Sequence, residues 1–241
     1  MGLSDLPKKV HGMLDDFVKG LKNIYGDGLV SVILYGSAAS GEYSSANSNV
    51  NIAVVLDDAG LANIARAKRL VNKRRFGIIR PVFFTEKYIA SSTDVFPLEF
   101  LDMKENNIVL YGKDVLRDVR VDEKNLRFQC EQELKSKLIS IKTVYLDLRS
   151  ASDRRKLLFK FTSSVLHLLR NALRLKGRVL IYSKERVAAS AAEEFGVGMA
   201  AFKKVLDARS GKLKLTSKEV DGLFVDIVRD MEKMAEAIDR M

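Results

Sequence analysis

Cysteine and histidine are nearly missing from this 241-residue chain: Cys130 stands alone, and His11 and His167 are the two imidazoles. A single thiol excludes an internal disulfide and any multi-cysteine metal centre, and two histidines so far apart do not suggest zinc. Cys130 is therefore expected to be a buried, inert thiol. No run of eighteen apolar residues occurs, so no membrane-spanning helix and no membrane partner are expected. The start MGLSDLPKKVHG lacks the apolar core of a signal peptide, and Leu6 stands where myristoylation needs Ser or Thr. The expectation is a cytoplasmic protein. Neither a Gly-x-x-x-x-Gly-Lys-[Ser/Thr] phosphate loop nor a Gly-x-Ser-x-Gly elbow is present.

What is present in excess is positive charge, +10 overall, unevenly spread. Residues 1–120 carry 16 Lys or Arg against 14 Asp or Glu, and residues 121–241 carry 25 against 17. Within 149–178 nine cations meet one acid, Asp153. Such a stretch points to an anionic partner, a nucleotide, a nucleic acid or an acidic protein, or else forms a solvated basic surface.

The two halves differ in pattern. Val10, Met13, Leu14, Phe17, Val18, Leu21 and Ile24 recur at helical spacing and stop at Gly26-Asp27-Gly28. Strands are expected at 29–35, 50–56, 78–84 and 108–111, with Pro81 placing the third at an edge or marking a strand end. Helical pieces are expected at 60–74, where KRLVNKRR suits a helix C-terminus, and at 86–105, broken at Pro97. In the latter, Phe96, Phe100 and Met103 should face inward while Glu99 and Asp102 stay solvated. From Asp122 no alternation persists. Leu134, Leu138, Ile141, Tyr145 and Leu148 form a helical stripe. Further helices are read at 153–175, 184–195, 199–208 and 217–239, the last opened by the capping box Thr216-Ser217-Lys218-Glu219. Short connections suggest an antiparallel bundle. Gly196-Val197-Gly198 reads as a helix stop. The chain is thus an α+β protein, an α/β domain over 1–120 followed by an all-α helical bundle over 121–241.

The chemistry-bearing stretch is 36–55, GSAASGEYSSANSNVNIAVV, which follows the strand LVSVILY. Gly36 at the strand exit lets backbone approach a ligand, and Ser37 offers an amide and a hydroxyl to phosphate oxygens. Asn49 and Asn51 point the same way at the mouth of the next strand, because strand side chains alternate with period 2. Helix, strand, Gly-Ser, loop and a polar-x-polar strand together resemble the nucleotidyltransferase superfamily typified by DNA polymerase β and, within it, enzymes related to kanamycin nucleotidyltransferase. The resemblance implies a mixed sheet, a following helical domain, and transfer of a nucleoside monophosphate from a triphosphate to a hydroxyl. It also implies two magnesium ions held by an Asp-x-Asp pair and a third carboxylate on a neighbouring strand. Here that pair falls on Asn49 and Asn51, and the neighbouring strand offers Arg80 in place of an acid.

The second candidate is a basic stripe. Lys156, Lys160, Ser163, His167, Arg170 and Arg174 fall within about 40° of one line on a helix. Leu157, Leu158, Phe161, Val165, Leu168, Leu169 and Ala172 lie opposite. The leading expectation is a nucleotidyltransferase-fold protein that has lost its metal carboxylates, is catalytically impaired, and acts by binding a nucleotide or an anionic macromolecule. Its nucleotide-binding candidates are Gly36, Ser37, Asn49, Asn51, Lys160, Arg170 and Arg174. One alternative is a working magnesium-dependent enzyme, in which Asn49, Asn51 and a displaced acid such as Glu99 or Asp102 hold one ion. The other is a non-enzymatic module whose basic bundle face meets an acidic protein. The resemblance leaves a homodimer open.

Overall fold

Four apolar runs of the first half pair into one sheet. The computed structural model describes residues 6–41, 43, 49–177 and 183–241. Most of the turn between Gly41 and Asn49, and Arg178 of the basic stretch, lie outside the described residues. The chain divides into two compact units, Met1–Asp122 and Glu123–Met241.

In the first unit, α1 (Lys8–Tyr25) leads through a 3-10 turn into β1 (Leu29–Tyr35). A short α2 (Ser37–Ser40) precedes β2 (Val50–Leu56). Next come α3 (Leu61–Ala65), α4 (Lys68–Val71), β3 (Ile79–Phe84), α5 (Glu86–Ser91), α6 (Pro97–Glu105) and β4 (Asn107–Gly112). The sheet order is β3-β2-β1-β4, antiparallel except for the β2–β3 pair. This is the mixed sheet expected from the pattern, with Pro81 on an edge strand. Lacking an N–H, proline has no donor to give a ladder there.

Each sheet face has its own core. Val32, Leu34, Val50, Ile52 and Val54 pack with Leu14, Phe17 and Leu21 of α1, while Ile33, Ala53 and Val55 pack with Ile89, Phe100 and Met103 of α5 and α6. Phe17 meets Phe76 edge to face at 5.2 Å. Burial of each such side chain contributes about 1.5–3 kcal/mol.

Two sequence expectations need correction in detail. The helix over 60–74 is two short helices and a 3-10 turn at Arg74–Phe76. Its buried anchors, Ala67, Leu70 and Phe76, lie three and six residues apart, and Lys73 is extended, at ψ 129°. Phe96 is 39 % exposed rather than inward, because the residue before a proline is pushed out of helical geometry. Leu98 is buried with Phe100 and Met103 instead.

The second unit is helical: α7 (Glu123–Asp147), α8 (Ala151–Arg174), α9 (Lys184–Phe195), α10 (Ala200–Arg209) and α11 (Ser217–Asp239). Leu134, Leu138 and Ile141 are buried, and Cys130 is fully so. Thr216 and Glu219 close the capping box reciprocally, and Gly196 ends α9 in the left-handed region. α8 packs against α7, α9, α10 and α11. Burial therefore extends beyond one face, to Thr162, Leu166, Asn171 and Leu173.

Asp230 on α11 is buried close to Gly198, in the α9–α10 connection. Burial raises its pKa above the ordinary value, with Arg229 and Lys233 opposing and Asp226 reinforcing the rise. A carboxyl whose folded pKa exceeds its unfolded one contributes stability below the unfolded pKa and loses it as pH rises through the folded one. Asp230→Asn should therefore melt higher than the parent at pH 7, and the gain should shrink toward pH 4. A thermal melt followed by circular dichroism at both pH values checks this.

Candidate functional site at the β1–β2 sheet end

The run LVSVILY is strand-forming on both faces and is almost wholly buried. It ends at Gly36, whose φ of 73° and ψ of −149° lie where side chains are strained. The Gly36 N–H donates to the Asn106 carbonyl at 3.3 Å, tying the turn to the entry of β4. Its own carbonyl accepts the N–H groups of Ala39 and Ser40 at 2.9 and 3.0 Å. Ser37 opens α2, which closes at Gly41, φ 82°.

The register then decides which residues meet. Asn51 lies opposite Tyr35 in the antiparallel pair and opposite Arg80 in the parallel pair, while Asn107 lies on the other side of Tyr35. Directly opposed residues project from one sheet face, so Arg80, Asn51, Tyr35 and Asn107 form one row across all four strands. A Cβ on Gly36 would stand 3.1 Å from Asn51 Nδ2. Gly36 therefore serves both the turn and the seating of Asn51. Asn49 is exposed just before β2, and Asn51 is half-buried.

The electrostatics of the row are neutral to positive. Arg80 is exposed and donates from Nη1 to the carbonyls of Gly77 (2.7 Å) and Ile79 (2.9 Å). Burial raises the Tyr35 pKa, so its hydroxyl keeps its proton at neutral pH. Asn107 Nδ2 donates to the Lys104 carbonyl at 2.8 Å. Glu99 is exposed on α6, and Asp102 is half-buried one turn before Asn106, with its carbonyl accepting the Asn106 N–H at 3.1 Å. Among the described residues no group of three His, Cys, Asp or Glu is placed to hold a metal ion.

Of the seven nucleotide-binding candidates, Gly36 and Ser37 stand where β1 ends, Asn51 of β2 lies beside Gly36, and Asn49 is exposed two residues before Asn51. Lys160, Arg170 and Arg174 lie on α8 of the second unit. Lys156, Lys160 and His167 are exposed there, while Arg170 and Arg174 are half-buried. Arg174 donates to Asn171 Oδ1, Arg209 of α10 donates to Ser163, and Lys156 lies 3.6 Å from Asp153. Sequence reasoning missed Tyr35 and Asn107 as members of the row. Tyr35 had a signal in its place beside Gly36, whereas Asn107 had none before the β1–β4 register was known.

No family model matches the chain, and no curated protein matches it. Solved structures do. One is the crystal structure of spectinomycin adenyltransferase AAD(9) from Enterococcus faecialis with ATP and spectinomycin, similar at a TM-score of 0.60 and 12 % identity over 95 % of this chain and 99 % of that one. At that identity the likeness shows the fold alone, and the chain has the nucleotidyltransferase fold.

Proposed function

We propose that this chain binds a nucleotide at the Gly36–Asn51 end of its sheet by direct contact to phosphates, without two-metal transfer chemistry. The observation that carries this reading is the row itself, an amide flanked by a phenol and a guanidinium beside a Gly-Ser turn. Magnesium leans on carboxylates, and at 4 Å in an effective dielectric of 20 each lost carboxylate forfeits roughly 8 kcal/mol of attraction to a divalent ion before desolvation. The two Asn amides with Arg80 opposite do not fit such an ion. They do fit phosphate oxygens. An amide Nδ2 and a guanidinium donate hydrogen bonds where a carboxylate only accepts and repels. Gly36 and Ser37 add backbone and hydroxyl donors. That the adenyltransferase of the same fold was crystallised with ATP supports a nucleotide as the ligand.

Calorimetry with ATP, GTP, CTP and UTP, with magnesium and with a chelator, tests the reading. The expected result is binding of at least one nucleotide that survives the chelator and releases no pyrophosphate in the presence of an alcohol acceptor. Absence of binding at millimolar nucleotide refutes the site, and metal-dependent binding with pyrophosphate release refutes the metal-free part.

A further inference from the structure

The connection from β2 to β3 concentrates the charge of the first unit. Residues 59–85 hold seven cations and no acid, whereas the rest of residues 1–120 holds nine Lys or Arg against fourteen Asp or Glu, a net of −5. Three of the seven cations have structural partners. Arg66 donates to the Ile24 carbonyl and to Asn63 Oδ1, Arg75 pairs with Asp16 at 2.8 Å and covers the Phe76 ring, and Arg80 donates to Gly77 and Ile79. Lys68, Arg69, Lys73 and Arg74 are exposed, and their side chains have no hydrogen bond or ion pair among the described residues.

These four are held outward by what lies between them. Leu70 seats over Gly20 of α1, and Phe76 is buried against Phe17. The connector is thus pinned flat on α1 with its cations on the outer side. Four like charges in seven residues repel one another unless an opposing charge density meets them.

We propose that Lys68, Arg69, Lys73 and Arg74 form a docking surface for the sugar-phosphate backbone of a double-stranded nucleic acid. A duplex offers one negative charge about every 1.7 Å of axis, a density matched by a short row of unpaired cations. Between α3 and β3 the aromatic residue is Phe76, which is buried, so the connector presents no ring on which unpaired bases would stack. α4 is four residues long, too short to read a groove, so the contacts are to phosphates and carry no sequence. Leu70 and Phe76, interleaved with the cations, face the core, opposite to the arrangement of a lipid-inserting helix. None of the four belongs to the Gly36–Asn51 site, so this inference stands apart from the nucleotide reading.

The test is fluorescence anisotropy of the full chain with a labelled 20-base-pair DNA duplex between 50 and 200 mM salt. Four phosphate contacts contribute about −3.6 to the slope of log K against log salt. The quadruple variant Lys68→Gln, Arg69→Gln, Lys73→Gln, Arg74→Gln should weaken binding at least roughly tenfold at 100 mM salt and flatten the slope by about 3 to 4. It should leave nucleotide calorimetry unchanged. Circular dichroism confirms that the neutral replacements remain folded, and pairwise Gln variants, each expected to take about half of the slope change, serve if the quadruple does not. An unchanged slope overturns the proposal. So does an equal loss in Lys156→Gln, Lys160→Gln on α8, or tighter binding to phosphatidylserine vesicles or polyglutamate than to the duplex.

Discussion

Gly112→Ala should destabilise the first unit by about 3 kcal/mol or more, a loss typical of severe backbone conflict rather than of an ordinary loop substitution. Gly112 ends β4 at φ 76° and pairs with Ser31 of β1. A Cβ there would stand 2.1 Å from the Val30 carbonyl oxygen and 3.1 Å from the Ser31 Cα. Those are backbone atoms of the central β1, so no rotamer change relieves the clash. The end of β4 must lift away from β1, and the bond from the Ser31 hydroxyl to the Lys113 carbonyl, 2.7 Å long, goes with it. Ile108, Leu110 and Tyr111 would then lose packing against the core on the α1 face. The matched control is Gly196→Ala. Gly196 also has positive φ, 63°, but no neighbour within 4 Å of its Cβ position, so it should lose only about 1 kcal/mol, the left-handed backbone cost. Denaturant titration measures both, and hydrogen exchange localises the first to β4. Equal losses in the two variants would show that the Val30 contact is not what distinguishes Gly112.

Asn49→Asp with Asn51→Asp should invert the ligand preference of the sheet end. Each substitution exchanges a donor for an anion, and one unit charge facing another at 4 Å is worth about 4 kcal/mol at an effective dielectric of 20. Chelator-resistant nucleotide binding should fall at least roughly tenfold, since 1.4 kcal/mol suffices for that. Magnesium affinity should rise by a similar factor, and further when Arg80→Ala removes the cation opposite Asn51. Calorimetry with magnesium alone and with nucleotide plus chelator reads the two effects separately. If nucleotide affinity without metal is the same in parent and variant, Asn49 and Asn51 do not face the phosphates.

Much of this architecture was legible because its signals are local. The alternation and apolar runs of 29–35 and 50–56, the stop at Gly26–Gly28, the capping box at Thr216 and the edge position of Pro81 depend on neighbours in sequence. The Gly-Ser turn was legible for the same reason. What was not legible depends on register. Asn51 stands between Tyr35 and Arg80 because three strands pair in a particular alignment, and a one-residue slip would have turned all of them to the other face. The fate of 60–74 was hidden for a related reason. Its cations are good helix formers, yet Leu70 and Phe76 must reach α1 together, and packing overrides propensity. On α8 the stripe spacing was readable, but not that four helices would surround it and leave Arg170 and Arg174 half-buried.

Pro81 has a consequence for the fate of the molecule when it is crowded or partly unfolded. The two margins of the sheet are unlike. β3 carries a residue that offers no amide hydrogen midway along its length, paired with Ile52 on its inner side. A strand from another molecule would find its hydrogen-bond ladder interrupted there. The β4 margin, Asn107–Gly112, contains no proline. Strand exchange and aggregation should therefore begin at β4, and a proline placed on its outer side is the substitution with which to lengthen the shelf life of the protein in concentrated solution.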